Sequence, residues 1–162
     1  EIGNTLTILS IAMLVGNVGF GALDRLFDSR KRVSLAGAGA TAAILAALAA
    51  FPDLALWQAT VLLCALGVTS NYVVTLLAHA RAMYPDRLVG RTVTLVNFAN
   101  FGGIAVLQFA SGGIVDLFPA SEGYDPADAY RALFAFLAVA VLFGILAYLP
   151  VRDFRPSEDR VA

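Results

Sequence analysis

The chain has 162 residues, 59% of them hydrophobic and 14% charged, with a net charge of −1 and a mean hydropathy of +0.78. A soluble domain carries roughly a quarter charged residues, so this composition argues against a water-soluble globule and, being nearly neutral, against a nucleic-acid partner. A single cysteine, Cys64, in an apolar run provides no disulfide framework.

Five apolar segments approach or exceed the ~20 residues that a helix needs to span hydrocarbon. The expected class is all-α, a polytopic membrane helical bundle of five transmembrane helices. They run about 5–23, 33–51, 54–79, 92–118 and 130–149, and a tail follows over 151–162. The first helix carries one amide, Asn17, and ends in a charged loop from Asp24 to Arg32. The second, Val33 to Ala50, has nothing more polar than Ser34 and Thr41. Its small residues at four-residue spacing (Ala36, Ala40; Ala43, Ala47) suit close helix approach in lipid.

A tight turn at Pro52-Asp53 leads to the third helix, with Trp57 at interface depth. That helix holds Thr69, Ser70, Asn71 and Thr75. Pro85 opens the next loop. The fourth helix is the most polar, with Thr94, Asn97, Asn100, Gln108, Ser111 and Asp116. Gly102-Gly103 and Gly112-Gly113 on it fit close packing. A longer loop from Pro119 to Ala129 precedes the plain fifth helix, which Pro150 ends. The tail from Arg152 reads as loosely ordered.

Basic residues cluster in alternate connections: Arg25, Arg30, Lys31 and Arg32; Arg81, Arg87 and Arg91; Arg152, Arg155 and Arg160. The opposite connections hold no Lys or Arg, and only Arg131 sits near that face. By the positive-inside rule the tail is cytoplasmic and the N-terminus is outside. Arg30-Lys31-Arg32 is then a topology anchor rather than a nucleic-acid patch. The chain begins at Glu1 with no signal-peptide pattern and has an odd number of spans, which suggests a fragment whose preceding part is missing.

Polar groups in hydrocarbon are costly and turn to a bundle interior or wet cavity. The second and fifth helices therefore read as lipid-facing props, and the other three as cavity-capable. At 1.5 Å per residue, Asn17 lies about 10 Å from the basic end of its helix, and Asn71, Asn97 and Asn100 fall at about the same depth. Asn97, Asn100, Gln108 and Ser111 recur at helical steps on one face. Asn17, Thr69, Asn71, Asn97, Asn100 and Gln108 are the candidates for lining a solute path; the alternative is interhelical hydrogen bonds that only hold the bundle. His79, single and at a helix end, reads as interfacial. No metal, cofactor or enzymatic constellation appears: Asp24 and Asp116 belong to opposite faces.

An internal echo links Gly21-Ala22-Leu23-Asp24-Arg25-Leu26-Phe27 to Gly113-Ile114-Val115-Asp116-Leu117-Phe118, on helices of opposite direction. Inverted repeats of this kind mark secondary transporters.

The first loop, with Asp24, Arg25 and Arg30-Lys31-Arg32, resembles the Gly-x-x-x-Asp-Arg-x-Gly-Arg-Arg/Lys signature loop of the major facilitator superfamily. Two glycines do not match: Phe20 stands four before Asp24, and Leu26 to Ser29 replace the short Gly turn. Tyr84-Pro85 with Gly90-Arg91 is similar to the element after the fourth helix of a half. Asn97 to Gly103 also looks like this family. The resemblance implies a partial C-terminal six-helix half, helices eight to twelve of a twelve-helix secondary carrier. It would move a small solute by alternating access, with its missing N-terminal half as partner, in a lipid bilayer, expected to be a bacterial inner membrane. Asp24, Arg25, Arg81 and Arg91 would form a cytoplasmic gate, with Arg81 as the expected partner of Asp24. A non-transporting membrane subunit or scaffold is the alternative.

Overall fold

A computed structural model describes residues 2–51, 54–119 and 123–157. The Pro52-Asp53 turn, part of the Pro119 to Ala129 loop, and Arg160 lie outside the described residues. Six α-helices form: α1 (Ile2–Leu26), α2 (Arg30–Ala50), α3 (Leu56–Thr69), α4 (Tyr72–Ala82), α5 (Asp86–Asp116) and α6 (Pro126–Tyr148). α3 and α4 are the two parts of one apolar segment, Leu56–Ala82, so five segments are long and apolar enough to cross a membrane.

The first loop is much shorter than its charges suggest. α1 continues through Asp24 and Arg25 to Leu26, and α2 begins at Arg30, so only 27–29 connect them. Asp28 takes a left-handed φ of 44°, which reverses the chain. Ser29 then caps α2, its hydroxyl accepting from Arg32 N at 3.2 Å. Arg30-Lys31-Arg32 therefore form the first turn of a helix, where cations oppose the helix dipole. Carboxylates offset them. Asp153 accepts from Ser29 Oγ and from Lys31 N, and Asp24 lies against Arg30.

The third span is not one continuous helix. After Thr69 the backbone turns at Ser70 and Asn71 before α4 starts. α5 begins at Asp86, six residues before the expected start. α6 begins at Pro126, behind Asp125, whose carboxylate accepts from Ala127 N at 2.9 Å.

α2 is the centre of the bundle rather than a lipid-facing prop. It packs most extensively on α6, and also on α4 and α3. Val33, Ser34, Gly37, Ala38, Thr41, Ala42, Leu45 and Leu48 are buried along it. The expected small-residue faces at Ala36 and Ala43 are exposed instead. The reason is shape: an alanine- and glycine-rich helix presents little bulk, so three neighbours can close on it. At Gly37 an added Cβ would stand 2.5 Å from Tyr72 Cβ.

α1 packs chiefly on α3; along its buried stripe Gly16 meets Val68 of α3, Phe20 meets Gly37 of α2 and Thr75 of α4, and Asp24 faces Arg30 of α2. α5 is the outermost helix. It touches α4 and α6, and most of its length from Leu95 to Phe109 is exposed.

Candidate functional site

At the basic end, the last turn of α1 and the first turn of α2 share a buried ion pair. Arg30 Nε stands 3.7 Å from Asp24 Oδ2, and the two residues are 8% and 7% exposed. Arg81, the expected partner, is exposed at the end of α4, and Arg25 on α1 and Arg91 on α5 are exposed too. The correction follows from the short turn. With only three residues between α1 and α2, Arg30 is the cation nearest across the reversal. Oδ1 of Asp24 is buried without a hydrogen-bond partner among the described residues.

The candidate path residues separate into two groups. Thr69 and Asn71 are held by other helices. Thr41 Oγ1 of α2 donates to Thr69 Oγ1 at 3.1 Å. Asn71 Nδ2 donates to Met13 O of α1 at 3.2 Å and to Gly67 O at 2.6 Å. The break between α3 and α4 is thus stitched to α1 by the amide that terminates it, and Gly16 lets the two backbones meet there. One turn further on, buried Thr75 donates to Phe20 O of α1 at 3.2 Å. Hydroxyls and an amide satisfy carbonyls inside hydrocarbon in this way.

The second group is Asn17 on α1 with Asn97, Asn100 and Gln108 on α5. All four side chains are exposed and have no hydrogen bond to another described residue. Asn97, Asn100 and Gln108 share α5 with the exposed rings of Phe98, Phe101 and Phe109. A cavity of about 780 Å³ does lie inside the bundle, but none of these amides lines it. Its walls are apolar apart from Ser34, Ser70, Tyr72 and Tyr148.

Two features of the basic end escaped sequence reading. His79, at the end of α4, is fully buried within the protein. The tail is not loose over its described part: Asp153, Phe154 and Ser157 bond to α2, α4 and the first turn. The one available signal was that Tyr72, Thr75 and His79 share a helix face, and Thr75 and His79 are buried on it. On the other end, Arg131 Nε donates to Ala49 O at 3.3 Å, at the carbonyl end of α2, where a cation is favourable.

Five spans of lipid length, one of them broken between α3 and α4, define a polytopic integral membrane protein. The family model of the Major Facilitator Superfamily matches residues 1–161, and the chain belongs to that superfamily. No curated protein and no solved structure matches it. Membership makes it a membrane transporter, of a superfamily that carries small solutes across the bilayer.

Proposed function

We propose that the chain is the C-terminal half of a twelve-helix carrier that moves a small solute by alternating access. The observation that carries this reading is the exposure of Asn17, Asn97, Asn100 and Gln108 within spans. An amide that faces hydrocarbon without a partner costs free energy on the order of several kcal/mol. Four such groups on two outer helices call for a wet or polar surface opposite them, which the other half of a carrier supplies. In this reading they line the path. Thr69 and Asn71, bonded between helices, keep the wall in shape. Asp24, Arg25, Arg81 and Arg91 frame the gate at the basic end, which the positive-inside rule puts in the cytoplasm.

A flux screen on the carrier in cells or proteoliposomes tests the proposal. For the solute it identifies, Asn100→Leu is expected to lower uptake or efflux about tenfold or more, a loss of roughly 1.4 kcal/mol in the rate-limiting step, at unchanged protein abundance. Unchanged flux in Asn100→Leu, Asn97→Leu and Asn17→Leu would overturn the path. Absence of any solute flux would favour a membrane scaffold.

A further inference from the structure

His79 is the chain's single histidine and is 0% exposed. Its Nε2 accepts the backbone N–H of Phe154 at 3.2 Å, so that nitrogen carries no proton. In a neutral ring the other nitrogen then does, and Nδ1–H donates to the Tyr148 hydroxyl at the end of α6. The ring packs edge-on to Tyr148, with centroids 5.7 Å apart, and against Phe154 at 6.0 Å. One side chain of α4 therefore holds both the end of α6 and the tail, and it can hold both only while neutral.

The same tail crosses to the α1–α2 turn. Asp153 occupies the N-terminus of α2 through Ser29 Oγ and Lys31 N. Asp28 accepts from Ser157 N at 2.9 Å and from its hydroxyl at 2.8 Å. Lys31 Nζ donates to Leu149 O at 2.6 Å. Residues 149–157 thus bind α2, α4 and the turn into one body.

We propose that this segment is a strap released by a proton: neutral His79 holds Phe154 on α4, and protonation of Nε2 turns the acceptor into a donor that expels the Phe154 N–H. The charged and titratable groups facing the ring are Asp153 of the tail, Arg30 and Lys31 of α2, and Tyr148 of α6. Behind Arg30 stands Asp24 of α1. Asp153 has the charge opposite to a cationic ring; Arg30 and Lys31 have the same charge. The Arg152 backbone of the tail also lies at the ring, so the bond that protonation removes is the one to Phe154 N–H, and release begins there. The inference stands on the fold alone and not on the transport reading, so its test contains no flux assay.

The full chain in nanodiscs, labelled with [15N]histidine, gives the nitrogen signals of one ring only. A nitroxide at the exposed position Arg155→Cys, with Cys64→Ser, reports the tail. Between about pH 8 and about pH 5, the range in which histidines ordinarily ionise, the ring is expected to start as the Nδ1–H tautomer and to titrate. The nitroxide should gain a mobile component with the same midpoint. Its released-to-bound ratio should rise by up to about tenfold per pH unit, the limit for one proton. His79→Gln, whose amide oxygen accepts the N–H and takes no proton, should keep the label immobile throughout. Asp28→Asn, which loosens Ser157 without touching the ring, should move the shared midpoint of ring and nitroxide together to higher pH, and keeps the test decisive if His79→Gln does not fold. The proposal is overturned by an Nε2–H tautomer, by a ring still neutral at about pH 5, or by tail mobility that does not follow the ring. Release in His79→Gln with the wild-type midpoint, or ring and nitroxide midpoints that separate in Asp28→Asn, also overturns it.

Discussion

Gly16→Val is expected to separate α1 from the α3–α4 break and to destabilise the bundle more than any other single glycine change on α1. A Cβ at position 16 would stand 2.5 Å from Val68 O, 2.7 Å from Val68 Cα and 2.8 Å from Asn71 Nδ2. Two of those atoms are backbone and cannot swing aside, so α1 must move. The movement also draws Asn71 Nδ2 away from Met13 O and removes that bond between the two helices. Overpacking of this kind costs about 1–3 kcal/mol, and the lost interhelical bond about 1 kcal/mol more. Gly19 and Gly21 provide the control. Nothing lies within 4 Å of a Cβ at either position, so Gly19→Ala and Gly21→Ala should be neutral or stabilising by up to about 1 kcal/mol through helix propensity. Thermal unfolding in one detergent, read for all three variants, checks the contrast.

Asp24→Ala is the second substitution with a large expected cost. It leaves the Arg30 guanidinium, itself in a buried residue, without the carboxylate that faces it at 3.7 Å. Removing one member of a buried pair typically costs about 3–5 kcal/mol, because the remaining charge stays desolvated. Any further bond that Arg30 makes moves the value toward the lower end. Arg81→Ala, at an exposed position, should stay within about 0.5 kcal/mol. Loss of folded protein in Asp24→Ala with normal yield in Arg81→Ala supports the pairing across the α1–α2 turn. The reverse pattern would restore Arg81 as the structural partner of Asp24.

The five spans were legible because hydrocarbon length and apolar runs are properties of local sequence. The break at Ser70 and Asn71 was not, since the apolar run continues through it and no proline or glycine marks it. What ends α3 there is the Asn71 bond to α1, a contact between residues 58 apart. α2 was misread for a related reason. A helix without polar groups suits lipid and a packed centre equally well, and only the closeness of α3, α4 and α6 decides between them. The charges from Asp24 to Arg32 looked like a loop because cations are unfavourable in a first helical turn. Asp153, more than 120 positions away, compensates them. His79 and the tail meet at a separation of 75 residues, and nothing local to either announces the other. For the candidate site, helix periodicity identified the polar face of α5. It could not separate amides that brace the bundle from amides left open.

The account turns on whether those open amides face water. Thiol labelling of single cysteines, in a Cys64→Ser background of the membrane-embedded carrier, addresses this with a polar, membrane-impermeant maleimide. Positions 17, 97, 100 and 108 are expected to react in at least one conformational state. Positions 143 and 146 on α6, where the apolar Phe143 and Leu146 are also exposed, should stay silent. Four unreactive amide positions, or reaction no greater than at the two α6 controls, would mean that these side chains face acyl chains or protein, and the path would not exist.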